Sequence, residues 1–485
     1  MQVTLEQLAL WLGQQPVHNA TPGAAVGVHG ITTDSRAVVP GNLFVALRGE
    51  RFDAHDFLDA VAAQGAAAVV VERVPPGLTI PAIVVADTRV ALGQIAHCWR
   101  EQFAIAVLAV TGSNGKTTVK EMLASILCAA FGTEHSLATR GNLNNEIGVP
   151  LTLLRLQSSH QAAVVELGMN HPGEIAVLAE IARPTLALVN NAQREHQEFM
   201  ATVEAVAREN GAVLAALPAD GVAVFPAEDD YAWVWRDIVS ARGLTHVITF
   251  GLTEQADVSA TYQAQAFGSL MQVRAVIDGV QQDFQIKLAA IGEHNVRNAL
   301  AAVACALGAG IDATAIVRGL ETFAPVNGRL QRKNAVSGAL VIDDTYNANP
   351  DSVRAAIDVL AAARAPRVLV LGDMGEVGNE GQQFHEEIGL YARAQGIDHF
   401  FGFGDATRFA VQAFNGALAV TAASAAVTAS ACHFETIEAI SAAAAQVAVA
   451  DASVLVKGSR FMKMERVVQH LVGAQSTAPQ SQETH

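Results

Sequence analysis

Apolar runs and helical periodicities alternate along almost the whole chain. Near the start, Thr4 followed by Gln7 has the spacing of a helix-capping box, and Leu5, Leu8, Trp11 and Leu12 then share one helix face. Asn42–Leu47 reads as a strand, Phe57–Gln64 as a helix and Ala66–Glu72 as a buried strand, with the Pro-rich stretch Val74–Pro81 as a loop. Ile105–Val110 is a solid apolar run, followed by a Gly-rich turn and a helical pattern over Val119–Phe131. Further apolar runs stand at Ala162–Val165, Leu186–Val189, Gly221–Phe225 and Val247–Phe250. Such runs separated by helices predict a parallel sheet covered on both faces, because its strands are buried on both sides. Val258–Leu288 alternates instead, predicting a small antiparallel sheet, and Asn295–Leu307 reads as an alanine-packed helix. Beyond a linker at Pro325–Gly328 the alternation restarts. Strands are expected at Leu340–Asp343, Arg367–Leu371, His399–Gly402 and Val454–Val456, and helices at Asp351–Ala363 and Gln382–Gln395. This pattern predicts a doubly wound, Rossmann-like domain.

The length of 485 residues corresponds to about three domains. The expected class is therefore α/β with three domains: residues 1–100, a central phosphate-loop parallel-sheet domain at 101–325, and the Rossmann-like domain at 326–474. Residues 475–485 form a short polar tail expected to be disordered. The formal net charge of -16 argues against nucleic acid as the main partner, since phosphate contacts call for a basic surplus. Cys98, Cys128, Cys305 and Cys432 are too scattered for a disulfide framework or a zinc ribbon and fit a reducing cytosol. The N-terminus lacks the basic region and apolar core of a signal peptide. The longest uncharged run, Phe409–Phe434, is mostly Ala, Ser and Thr, so a soluble helix followed by a buried element is expected rather than a membrane span. We therefore expect a cytoplasmic monomer without membrane insertion.

Candidate chemistry begins at Thr111-Gly-Ser-Asn-Gly-Lys-Thr-Thr118, between an apolar strand and a helix. Glycines let backbone N–H groups approach phosphate oxygens, and the helix adds its positive end. Lys116 suits the β- and γ-phosphates, and the Thr117 hydroxyl suits magnesium. The loop is a shortened G-x-x-G-K-T. An ordinary strand–turn–helix corner would also fit, but lysine is rare here, with only six in the chain. Glu166 closes the apolar run Ala163–Val165, and His196 lies just past Leu188–Val189. Carboxyl ends of parallel strands face the ligand crevice. A glutamate there also serves as a helix cap, and a lone histidine is more often structural.

Together these segments resemble the Mur ligases, ATP-dependent amide-bond-forming enzymes of peptidoglycan precursor synthesis. The loop Thr111–Thr118, the segments Asn142–Pro150 and Glu166–Asn170, and His294-Asn-Val-Arg-Asn298 carry the likeness. Within the family, Asp343–Pro350, Leu371–Glu376, Val456–Arg460 and Met464-Glu465 resemble the members that add D-alanyl-D-alanine to the UDP-N-acetylmuramoyl tripeptide. Thr33–Arg36 and Gly41–Asp53 resemble their uridine-nucleotide domain.

The resemblance implies an acyl-phosphate mechanism with ATP and Mg2+. It implies Gly112, Ser113, Asn114, Gly115, Lys116, Thr117 and Thr118 around the phosphates, with Asn295, Arg329 and Asp344 on the rest of the nucleotide. Thr117, Glu166 and His196 would hold magnesium, and Lys116, Glu166 and His196 would carry the catalysis. Ser35 and Arg36 would bind the uridine nucleotide, Asn142 and Asn145 the substrate, and Asn347 and Asn349 would lie near the dipeptide. Many Mur ligases also carry a carbamylated lysine as a ligand to the second magnesium. Here alignment puts Asn210 at that position, and no lysine occurs between Lys120 and Lys287. Either Asn210 acts as a neutral ligand, or Glu209 or an added anion compensates, and bicarbonate and chloride should then act differently than in lysine-bearing members. The competing readings are a folylpolyglutamate synthetase, a nucleotide-dependent switch or scaffold, and a homologue that binds nucleotide without turnover.

Overall fold

The computed structural model describes residues 1–18, 26–50, 52–265, 268–421 and 429–473. The expected tail and the middle of the uncharged run Phe409–Phe434 lie outside the described residues. On either side of that gap stand the helix Thr407–Thr421 and the strand Ser430–Phe434. No described helix is long and apolar enough to cross a membrane. The architecture is three-domain α/β, built on three main sheets.

The first sheet has five strands in the order Pro16–His18, Ala82–Val84, Ala68–Val71, Leu43–Val45 and Ile31–Thr32, with the first antiparallel and the rest parallel. The helix Leu5–Trp11 begins where the Thr4 hydroxyl accepts the Gln7 N–H, and it buries Leu5 and Leu8. From this first region, the helix Thr88–Arg100 leads into the centre. It buries Leu92, Ile95 and Trp99 in an apolar cluster that runs on through Val107, Ala163 and Val165 of the central sheet. Arg100 is buried beside it and donates to the Ala182 and Arg183 carbonyls.

The central sheet has nine strands. Its middle is Leu186–Val189, Ala106–Thr111 and Ala162–Glu166, side by side and parallel, with Glu166 level with Val110 and Val189 level with Thr111. This register brings the polar residues after each strand to one edge. The antiparallel strands Val258–Gln265, Gly268–Ile277 and Val280–Leu288 do not form a sheet of their own, as their alternation suggested. Phe250 pairs with Val258 in parallel, so they extend the central sheet. The helix after the loop also starts earlier than its apolar pattern, at Lys116 rather than Val119.

The third sheet runs Gln331–Asn334, Leu340–Asp344, Ser453–Lys457, Arg367–Gly372, His399–Phe403 and Ser430–Phe434, parallel except for the first strand. It has apolar clusters on both faces, around Ile357, Leu369 and Phe400 and around Val370, Ile440 and Val454, separate from the central core. Its contacts with the central domain include an extensive polar seam.

Helix Ala313–Thr322 packs tightly on the helix Lys116–Phe131. A Cβ on Gly319 would fall 2.5 Å from Ile126 Cα. Gly319→Val should therefore push the phosphate-loop helix away and destabilise the central domain by about 1–3 kcal/mol. Urea titration followed by tryptophan fluorescence should show an earlier midpoint.

Candidate active site

A cleft of about 1560 Å³ opens at the level strand ends and is lined from all three domains. Its floor is the loop Gly112–Gly115. Gly112 has φ +130° and Gly115 φ +84°, backbone that favours glycine. A Cβ on Gly115 would also collide with the Asn298 Oδ1 and Asn190 Nδ2 atoms. The loop is held from behind by amides. Asn114 N–H donates to Asn191 Oδ1 at 2.9 Å, and Asn190 Nδ2 donates to Asn114 O at 2.7 Å. The first N–H groups of the helix have no intrahelical acceptor. Ser113, Asn114, Gly115, Lys116, Thr117 and Thr118 all line the cleft, as a phosphate cradle requires.

Lys116 is folded back over this loop. Its ammonium donates to Gly112 O at 2.6 Å, Ser113 O at 3.2 Å and Glu195 Oε1 at 2.7 Å. Glu195 also lies 3.4 Å from His196 Nε2, and His196 Nδ1 is 2.7 Å from Glu376 Oε2 of the C-terminal domain. Burial alone would lower the His196 pKa, but Glu195 and Glu376 raise it to about 9. Burial pushes Glu195 up, and the nearby Lys116 and His196 charges outweigh that and hold it below its usual range. His196 thus stands between two carboxylates that favour its charged form, and only the neutral imidazole could ligate a metal.

Glu166 is buried at the end of its strand. Its Oε1 accepts from Thr117 Oγ1 at 3.1 Å and Asn144 Nδ2 at 2.8 Å, while its Oε2 has no partner. A buried carboxylate oxygen without a partner is costly unless a cation meets it. Beside the Thr117 hydroxyl it fits magnesium, which takes few protein ligands and completes its shell with phosphate and water. Among the described residues no three His, Cys, Asp or Glu side chains form a metal cage.

The C-terminal domain closes the far wall. Arg329 donates to Thr117 Oγ1 at 2.9 Å and stacks 4.2 Å over the Tyr346 ring. Asp344 pairs with the buried Lys457 at 2.6 Å. Asn349 Nδ2 donates to Asn114 Oδ1 at 3.0 Å, and Asn347 lines the cleft beside it. Arg194 forms ion pairs with Asp351 at 2.6 Å and Glu387 at 2.7 Å. Asn295, also in the lining, donates to Ile291 O. Asn145 lines the cleft while its Oδ1 caps Ile147 and Gly148 N–H.

Other expectations meet a different geometry. Arg36 is exposed and engaged bidentately by Asp34, and neither Ser35, Arg36 nor Asn142 lines the cleft. Asn210 is fully buried behind the loop, where its Oδ1 accepts from Thr111 Oγ1 at 2.7 Å and Gly112 N–H at 3.1 Å. That oxygen braces the cradle and does not face the cleft as a ligand. Glu209 does not compensate either, since it accepts from Gly173 and Ile175 N–H at the start of another helix. Sequence reasoning passed over Asn144, Arg194, Glu195 and Glu376. Three of them stand within two residues of a named candidate, a signal that only the folded register makes readable.

Because the two carboxylates raise the His196 pKa, this contact stabilises the docked state fully below about pH 6.5 and loses its effect as pH rises through about 9. Glu376→Gln should shift the imidazole titration of His196 back toward 6.5, read by NMR. Asn210→Ala should leave Thr111 Oγ1 and Gly112 N–H unpaired, cost about 1–3 kcal/mol in denaturant titration, and raise the KM for ATP.

Comparison with known proteins agrees with this construction. Residues 27–100 match the family description "Mur ligase family, catalytic domain", residues 110–306 "Mur ligase middle domain", and residues 328–460 "Mur ligase, glutamate ligase domain". The chain is 40% identical over 392 residues to UDP-N-acetylmuramoyl-tripeptide--D-alanyl-D-alanine ligase of Haemophilus influenzae, covering 81% of this chain and 84% of that protein. Among solved structures it is similar to UDP-N-acetylmuramoylalanyl-D-glutamyl-2,6-diaminopimelate--D-alanyl-D-alanyl ligase of Acinetobacter baumannii, with TM-score 0.82, 35% identity, and 98% and 99% of the two chains covered. It is also similar to the MurF ligase of Thermotoga maritima in complex with ADP, with TM-score 0.78, 25% identity, and 92% and 97% covered. On this evidence the chain belongs to the Mur ligase family.

Proposed function

We infer that the protein is an ATP-dependent ligase that joins D-alanyl-D-alanine to UDP-N-acetylmuramoyl-tripeptide through an acyl phosphate, giving the pentapeptide precursor of peptidoglycan. The observation that carries this reading is the meeting of Lys116, the unpartnered Glu166 Oε2 and Arg329 at one cleft shared by all three domains. Folylpolyglutamate synthesis is not favoured, because the similarity to D-alanyl-D-alanine ligases extends over most of the chain.

The chemistry must bring a carboxylate and a triphosphate together although both are anions. Lys116 leaves Glu195 and the loop carbonyls and turns its ammonium to the transferring phosphate. Arg329 moves from the Thr117 hydroxyl to a phosphate oxygen, freeing that hydroxyl. Thr117 and Glu166 would hold Mg2+, which neutralises phosphate charge when bound. Asn144 keeps the Glu166 carboxylate pointed at that place. The substrate carboxylate attacks the γ-phosphorus and ADP leaves. The dipeptide amine, as its free base, then attacks the acyl carbon, and phosphate departs with the proton that nitrogen loses as the amide forms. Asn347 and Asn349 orient the dipeptide on the C-terminal wall. Closure of that wall excludes water, which would otherwise hydrolyse the acyl phosphate.

In this reading residues 1–100 hold the UDP-sugar, 101–325 the ATP, and 326–474 the dipeptide. Ser35 and Arg36 serve the uridine nucleotide at a distance from the cleft, while Asn142 and Asn145 belong to the substrate segment. Asn295 and Asp344 serve the adenosine end. As the neutral imidazole, His196 would hold a second Mg2+. The enzyme acts as a monomer in the cytoplasm.

With ATP, Mg2+ and UDP-tripeptide, the purified protein should release phosphate only when D-alanyl-D-alanine is added; equal release without the dipeptide would overturn the reading. Lys116→Met should lower kcat by about 100-fold or more while the fold is kept, the scale for losing one preorganised charge at a transferring group.

A further inference from the structure

Lys120 is a buried ammonium that takes no part in the steps of ligation. It stands one turn after Lys116 on the helix Lys116–Phe131, and its side chain has no exposure to solvent. The ammonium pairs with Glu121 Oε1 and donates to Thr139 O at 3.0 Å. Taking an ammonium out of water is costly, and an apolar side chain of similar size would fill the place without that cost. Such a pair is weak evidence for stability. What it can supply is register, because its donors meet their acceptors in one arrangement only.

Thr139 is buried as well and carries three bonds at once. Its carbonyl accepts from Lys120, its N–H donates to Val164 O at 3.1 Å, and its hydroxyl accepts the Glu166 N–H at 3.0 Å. It directly follows the strand Ser136–Ala138, which pairs in parallel with Ala162–Val164. From Thr139 the chain runs on to Asn144, whose Nδ2 donates to Glu166 Oε1 at 2.8 Å. Two holds on Glu166, one at its backbone and one at its carboxylate, therefore start from the point that Lys120 pins.

These bonds close a ring. Thr117 lies three residues before Lys120, on the same side of the helix, and its hydroxyl donates to Glu166 Oε1 at 3.1 Å. The helix is tied to Thr139 by Lys120, Thr139 to Glu166, and Glu166 back to the helix at Thr117. The ring fixes the spacing of a hydroxyl and a carboxylate that belong to different elements.

We propose that Lys120 is a positioning residue for the cation site of Thr117 and Glu166: through Thr139 it holds the strand end that carries Glu166 against the helix that carries Thr117. This rests on the reading of those two residues as magnesium ligands. Without the ammonium, Glu121 turns to water, since its side chain is already 38% exposed, and the fold persists. Thr139 is then free to shift, and Glu166 shifts with it.

The test measures cation binding without turnover, using Mn2+ as the probe, read by electron paramagnetic resonance on the protein–ADP complex. Lys120→Met should weaken Mn2+ binding by about tenfold or more, the scale for groups that orient a metal ligand, and leave the affinity for ADP in EDTA unchanged by calorimetry. Thr139→Val, which removes the hydroxyl and keeps the carbonyl, should weaken Mn2+ in the same way, and Thr139→Ser should bind it as the wild type does. Unchanged Mn2+ binding in Lys120→Met, or an equal loss of Mn2+ and of metal-free ADP, would overturn the proposal. Should Lys120→Met fail to fold, the Thr139 pair decides, and equal Mn2+ binding by the Val and Ser variants would overturn it. Glu166→Gln separates this from the reading beneath it. Mn2+ binding unchanged by Glu166→Gln would overturn the assignment of Glu166 as a ligand and the proposal with it, whereas loss in Glu166→Gln without loss in Lys120→Met would overturn the proposal alone.

Discussion

A buried charge is tolerable only if something meets it, and beside the level strand ends the buried Glu195 is met within a chain of four charged groups that runs out to the half-exposed Glu376. Lys116 is neutralised by Glu195, Glu195 faces His196, and His196 faces Glu376 from another domain. Glu166 stands next to this chain with one oxygen still unanswered. The rest of the site follows from that arrangement. The asparagines at 114, 190, 191 and 298 hold the loop with neutral amides, so the cradle gains rigidity without adding charges that would compete for phosphate. The overall charge of -16 does not conflict with anionic ligands, because attraction here is local: the Lys116 ammonium, the Arg329 guanidinium and the helix end beside the loop all meet at the cleft.

The two domain junctions are built by different physics. The N-terminal domain continues into the centre through one apolar cluster, and Arg100 is driven into carbonyls at the joint. Sliding there would expose Trp99 and Leu92 to water. Across the C-terminal junction the recurring contacts are polar: Asn114 to Asn349, Arg194 to Asp351 and Glu387, Arg329 to Thr117, and His196 to Glu376. Such contacts can be traded for water or ligand at modest cost. One junction is therefore built on buried apolar surface and the other on exchangeable polar contacts.

Much of this was legible in the chain. Buried parallel strands announce themselves as short apolar runs, and the glycines and lysine of the loop name their own task. What the pattern hid was neighbourhood. The strands from Val258 to Leu288 alternate like an independent sheet, and only the pairing of Phe250 with Val258 joins them to the centre. Asn210 occupies the position of an expected ligand in the linear order, yet the helix turns it behind the loop to brace Thr111 and Gly112. Glu195 gives no signal by type, because a glutamate beside a histidine is common. Its meaning comes from Lys116, 79 positions earlier.

The separate cores of the C-terminal domain, joined to the rest across a polar seam, carry a thermodynamic consequence. Cooperativity in unfolding is transmitted chiefly through shared apolar surface, and little of it crosses that seam. A molecule built this way is expected to unfold as at least two cooperative units without a single melting temperature, and a ligand that bridges them would report its binding by merging their transitions as well as by raising them.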